Sequence, residues 1–194
     1  SVAETSLKKA EECQSVLNAS KEKKKYRHNW IRCIEGYRSV ADRYPQGEQA
    51  GTALYRAAEM YRSLHAFSGM AQDLDDAIGL YRHVVHKYPK HNLADDAQYR
   101  IGEIYYDEKN DLTQAYVEFL KVDIQFPSGD MRPKAKTMLD KLSSVLAKKD
   151  IQRAEKGEAP PQQGLTEVLG IRHWSTPSYT RVVIDLSKPV QYES

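Results

Sequence analysis

Residues 77–105 read AIGLYRHVVHKYPKHNLADDAQYRIGEIY, and this stretch decides the fold because it occurs more than once. Tyr81, Tyr88, Pro89, Ala94, Ala97, Tyr99, Gly102 and Tyr105 stand 44 residues after Tyr37, Tyr44, Pro45, Ala50, Ala53, Tyr55, Ala58 and Tyr61. A second offset, of 38 residues, carries Leu74, Ala77, Tyr81, Pro89 and Ala97 onto Leu112, Ala115, Phe119, Pro127 and Ala135. Self-similarity at such a period marks stacked supersecondary units that share one continuous core. The unit therefore occurs about three times, with a loop of variable length inside it.

Each unit carries two helical signatures. The first reads Ala57-Ala58-x2-Tyr61 and Ile101-Gly102-x2-Tyr105; the second reads Cys33-x3-Tyr37, Ala77-x3-Tyr81 and Ala115-x3-Phe119. A small residue lets two helices approach, and the aromatic one turn on fills the space beside the contact. Pro45, Pro89 and Pro127 follow the second signature at a constant distance and end its helix, since proline lacks the N–H and biases its predecessor away from helix. This pattern resembles the tetratricopeptide repeat over roughly residues 3–147. The resemblance implies an all-α fold, a right-handed helical solenoid of about three helix pairs plus a capping helix, in all six or seven helices. The unit is longer than is usual for that family, with extra length at Ser63 to Gln72 and around Pro45 and Pro89.

The flanks complete the array. Leu7, Ala10, Cys13 and Leu17 keep helical spacing over residues 3–19, although they match the repeat signature poorly. After Pro127, a stripe of Ala135, Leu139, Leu142 and Leu146 opposes a lysine-rich side, which is the pattern of a cap. Cys13 and Cys33 both lie on apolar stripes; burial as two small hydrophobes is the expectation, and a bridge between neighbouring helices is the alternative.

Beyond the array, residues 148–164 lose apolar periodicity and end in Ala159-Pro160-Pro161-Gln162-Gln163-Gly164, a linker. In Thr180 to Leu186, Val182, Ile184 and Leu186 alternate with Arg181, Val183 and Asp185, as in a strand. Leu165 to Trp174 can form a strand before it, with Ser175 to Tyr179 as the turn. The run from Val168 through Trp174, Thr180-Arg181-Val182-Val183-Ile184-Asp185-Leu186 and Pro189-Val190-Gln191-Tyr192 resembles the opening of an AMIN domain. That family is a small β-sandwich joined to bacterial N-acetylmuramoyl-L-alanine amidases and to some secretion proteins. Residues 165–194 are then a β segment of a truncated sandwich, because a sandwich needs more strands than thirty residues supply.

Charged residues make up 29% of the chain and hydrophobic ones 40%, and the formal net charge of +2 is too small to imply nucleic acid. No apolar run is long enough for a transmembrane segment. Ser1 begins without the basic and apolar regions of a signal peptide, so the sequence fits a cytosolic protein or a mature or truncated exported one. His28, His65, His83, His86, His91 and His173 form no H-E-x-x-H or comparable ligand set, so neither catalytic nor metal-binding residues are expected. His83, His86 and His91 read as solvated surface histidines beside Lys87 and Lys90.

The two resemblances together imply a non-catalytic region of a peptidoglycan amidase in the bacterial periplasm or cell envelope. Zinc is then expected only in a catalytic domain absent from these residues, and no other cofactor is implied. A free-standing periplasmic tetratricopeptide adaptor for outer-membrane assembly or envelope constriction is the alternative. In such arrays the first helices line the concave groove where a protein or peptide partner docks; here that places Tyr55, Glu59 and Arg62 in one unit and Tyr99, Glu103 and Tyr106 in the next. The competing reading has these tyrosines filling space between units. Peptidoglycan would be the partner of a complete AMIN-like domain. Lys21-Glu22-Lys23-Lys24-Lys25 with Arg27, in the first interhelical loop, reads either as a solvated turn or as a contact for anionic glycan or lipid headgroups.

Overall fold

A computed structural model describes residues 1–155, 168–175 and 180–186 of the chain. It divides into two units, Ser1–Ala147 and Lys148–Ser194. The first is built by helices α1 (Val2–Asn18), α2 (Lys21–Lys24), α3 (Arg27–Arg43), α4 (Glu48–Ser68), α5 (Ala71–Lys87), α6 (Ala94–Glu103), a π-helical turn (Ile104–Glu108), α7 (Leu112–Gln125) and the start of α8 (Arg132–Glu155). Each helix packs on its sequence neighbour, and α1 with α3, α4 with α5 and α6 with α7 form three pairs. α2 is one extra turn in the first loop, capped by the Ser20 hydroxyl accepting from the Lys23 N–H.

The prolines end helices where the spacing says they should. α3, α5 and α7 stop two residues before Pro45, Pro89 and Pro127, and the residues between adopt nearly the same backbone: Tyr44 at φ −128°, ψ 56°, Tyr88 at −126°, 52° and Phe126 at −124°, 63°. That shared kink, forced by the ring that follows, makes the three units turn alike. The extra length after Ser63 is a continuation of α4 to Ser68, closed by Gly69 at φ 64°, a left-handed cap that glycine adopts without steric cost.

The aromatics of the second helices form the centre of the core. Tyr37, Tyr81 and Phe119 are fully buried, as are Ala77 and Ala115. Gly102 is where a side chain could not fit: a Cβ there would lie 2.6 Å from the Phe119 ring. The cap packs as the stripe implies, with Ala135 and Leu142 buried against Ala115, Phe119 and Val122.

Three features depart from the sequence reading or add to it. Cys13 and Cys33 form a disulfide that joins α1 to α3, with Cα atoms 5.5 Å apart, so the expectation of two free buried thiols is corrected. Helical stripes on α1 and α3 show that both cysteines face inward but not that they face each other. His91 is held rather than solvated: its Nδ1 accepts from the Leu93 N–H at 3.1 Å, its Nε2 lies 3.1 Å from the Glu48 carbonyl, and its ring lies against Gly51. α8 continues to Glu155, inside the segment read as linker, because residues 148–155 contain neither Gly nor Pro.

Two buried carboxylates tie the helices together. Asp73, fully buried at the start of α5, accepts from Arg27 Nη1 at 2.8 Å and Nη2 at 2.6 Å and from the Ser68 hydroxyl at 2.5 Å. The Arg27 hydrogen bonds hold its pKa below the usual carboxylate range. Glu118, also fully buried, accepts from Gln98, Gln114, Lys121 and Arg82 and so links α5, α6 and α7. Burial pushes its pKa up, but these donors outweigh that and hold it low.

A depressed folded-state pKa adds stability above the unfolded value, about 3.9 for Asp, and that stability is lost as pH falls through the folded value. Asp73→Asn is therefore expected to destabilise the protein at pH 7 by about 1–3 kcal/mol. The difference from the parent should shrink in urea melts near pH 3. Equal differences at the two pH values would show that Asp73 is not held as a carboxylate.

In the second unit, Val168–Ser175 (β1) and Thr180–Leu186 (β2) pair antiparallel, with Ser175 opposite Thr180, Ile171 opposite Ile184 and an irregularity between Val168 and Gly170. The expected turn over 176–179 and the Pro-rich end of the expected linker lie outside the described residues.

Candidate partner-binding site

The first helices α4 and α6 and the π-helical turn share a polar surface, which is where the expected groove positions fall. Tyr55, Glu59 and Arg62 stand one turn apart along α4. Arg62 donates from Nε to Glu108 at 2.6 Å and from Nη1 to Glu103 at 3.0 Å, and its Nη2 lies 3.8 Å from Asp107. Arg100 donates to Glu103 at 2.7 Å and to the Tyr55 hydroxyl at 3.3 Å, and lies 3.5 Å from Glu59. Arg56 approaches the other Glu59 oxygen at 3.6 Å.

The result is a fixed lattice of alternating charge in which Arg62 and Arg100 share Glu103. Burial disfavours the charge on Arg62 and on Arg100, but their carboxylate partners more than offset it and raise both pKa values. Both guanidiniums are thus permanent cations held in one orientation, each with a planar fork of donors.

The six positions do not form one uniform surface. Tyr55, Glu59, Arg62 and Glu103 meet through Arg100. Tyr55 is mostly buried, its ring edge-on to Tyr81 at 5.3 Å, so it offers a partner little beyond its hydroxyl edge. Tyr99 packs on Phe119 with ring centroids 5.1 Å apart. Tyr106 takes the Lys141 ammonium over its ring face at 4.8 Å. Tyr99 and Tyr106 are both half-buried and border the cluster that joins α7 to α8.

Arg100, Asp107 and Glu108 belong to the surface and were not legible as such. For Asp107 and Glu108 the π-helical turn is the reason: Lys109 N–H bonds back five residues to the Ile104 carbonyl at 2.9 Å, and Asn110 closes the turn at φ 52°. The widened turn brings Asp107 and Glu108 to Arg62, whereas regular α spacing gives no hint of it. Asn110, a residue tolerant of left-handed backbone, is the only signal in the sequence.

A second carboxylate group lies at the far end of α6. Asp95, Asp96 and Asp130 bring oxygens within 4.8 Å of one another. Asp95 accepts from the Met131 N–H at 3.2 Å, next to the start of α8. Burial and then the charges of Asp95 and Asp130 push the Asp96 pKa up. No helix among the described residues is long and apolar enough to cross a membrane.

Residues 52–91, most of α4 together with α5 and the turn after it, match the tetratricopeptide repeat family. No curated protein matches the chain. The repeat family is non-catalytic and commonly binds protein partners. With one matched repeat inside a stack of three like helix pairs, the chain carries a tetratricopeptide-like helical domain suited to protein interaction.

Proposed function

We propose that this chain is the non-catalytic, partner-binding and envelope-targeting region of a peptidoglycan N-acetylmuramoyl-L-alanine amidase. The observation that carries the binding role is the rigid surface of α4 and α6, where Arg62 and Arg100 are locked among Glu59, Glu103 and Glu108. Side chains already held in place bind a polar peptide without being ordered at the moment of contact. The partner in this reading is an extended or helical polar segment seated along Tyr55, Glu59, Arg62, Tyr99, Glu103 and Tyr106.

Location in the periplasm or cell envelope is supported by the Cys13–Cys33 disulfide, because such bonds form and persist in oxidising compartments. The amidase parent rests on the likeness of Val168 to Tyr192 to the opening of an AMIN domain, whose complete form would associate with peptidoglycan. The open reading frame beyond the codon for Ser194 tests the parentage. Further sandwich strands and then a zinc-hydrolase sequence are expected there; a stop codon, or a domain of other chemistry, would overturn it.

A further inference from the structure

The end of the helical array formed by the loop between α1 and α3 and the loop between α4 and α5 combines exposed apolar side chains with lysines that have no ion-pair partner among the described residues. Seven large hydrophobic side chains are strongly exposed among the described residues, and four of them are here: Val16 (51%), Tyr26 (52%), Phe67 (60%) and Met70 (47%). They come from the end of α1, the start of α3, the end of α4 and the residue that caps α5. Direct contacts join the two loops at this end. Trp30 meets Phe67 at a tilt, with ring centroids 5.2 Å apart, and donates to the Lys24 carbonyl at 2.9 Å, while Arg27 reaches Asp73 two residues beyond Ala71.

The lysine run lies in the first of these loops. Lys25 pairs with Glu22 at 2.7 Å, but Lys21, Lys23 and Lys24 make no ion pair among the described residues. Lys23 also borders an open recess of about 360 Å³ with Lys9, Val16, Asn29 and Arg32, in which Glu12 is the one acidic side chain. Lys9 and Arg32 are likewise without an ion pair among the described residues.

We infer that this tip docks on the surface of a bilayer containing anionic lipid. Side chains that project from helix ends reach a planar surface. An aromatic ring, a thioether and a phenol can enter the boundary between headgroups and acyl chains while lysine stems lie along them and keep their ammonium groups at the phosphates. Apolar insertion and attraction to anionic headgroups add, and neither alone holds a protein stably on a membrane.

Flotation of the full chain with vesicles tests this, using phosphatidylcholine alone and an equimolar mixture with phosphatidylglycerol. Binding to the mixed vesicles is expected to be at least about tenfold stronger and to fall with added salt. The pair Lys21→Glu and Lys23→Glu should abolish the difference, and the pair Phe67→Ser and Met70→Ser should weaken binding by about fivefold or more. Lys87→Glu with Lys90→Glu, on a different loop, should change neither. Equal binding to both vesicles, or loss in the control pair equal to loss in the tip pairs, would overturn the inference. Retention on immobilised polyglutamate without vesicle binding would also overturn it and assign the tip to an acidic protein.

Discussion

Tyr81→Ala is expected to lower the unfolding free energy by about 3–5 kcal/mol, the cost of deleting a fully buried aromatic ring and leaving a cavity. Tyr81→Phe is expected to leave it unchanged or raise it slightly. The contrast follows from the ring's surroundings. Tyr81 is fully buried, meets Tyr55 edge-on and lies in the cluster that joins α4, α5 and α6, yet its hydroxyl has no hydrogen-bond partner among the described residues. Burial raises its pKa, so the phenol stays neutral at any working pH. The ring supplies the packing, and the oxygen is a buried polar atom whose removal costs nothing. Guanidinium melts of the two variants check this; a loss above about 1 kcal/mol in Tyr81→Phe would mean that the hydroxyl makes a hydrogen bond worth that much.

Reduction of the Cys13–Cys33 bond is expected to cost about 3 kcal/mol, the loop-closure entropy lost from the unfolded chain when a loop of this size is cross-linked. The two cysteines are 20 residues apart. The effect should concentrate on α1, which fully buries only Ala3, Ala10 and Leu17 and adds to them the partly buried Leu7 and a hydrogen bond from the Tyr37 hydroxyl to Gln14. Hydrogen exchange with and without dithiothreitol reads this out: α1 amides should exchange faster on reduction, and those of α5 should not. Coincident melts of the oxidised and reduced protein would show that α1 is held by packing alone.

The helical array was legible because its causes are local or periodic. A proline every unit, a small residue at each close approach and an aromatic one turn on are conditions that the chain must meet in sequence, and Tyr37, Tyr81 and Phe119 are buried accordingly. What escaped depends on partners far along the chain. Asp73 and Glu118 look like ordinary surface acids until Arg27, 46 residues from Asp73, and Gln98, 20 residues from Glu118, are folded against them. The same holds for the cysteines, whose pairing needs the rotation of α1 against α3. Tyr55 shows the limit at the candidate site: one-turn spacing places it beside Glu59 and Arg62, but only the approach of Tyr81 shows that its ring belongs to the core.

The claim that the first helices bind a partner has a direct test in photo-crosslinking within intact cells. p-Benzoylphenylalanine placed at Tyr99 and at Tyr106 substitutes one aromatic for another on the α4 and α6 side, and the same residue at His86 probes the exposed side of α5. Irradiation should join positions 99 and 106 to the same polypeptide and leave position 86 unjoined. Crosslinks of equal yield from all three positions, or from position 86 alone, would contradict a partner seated on the first helices.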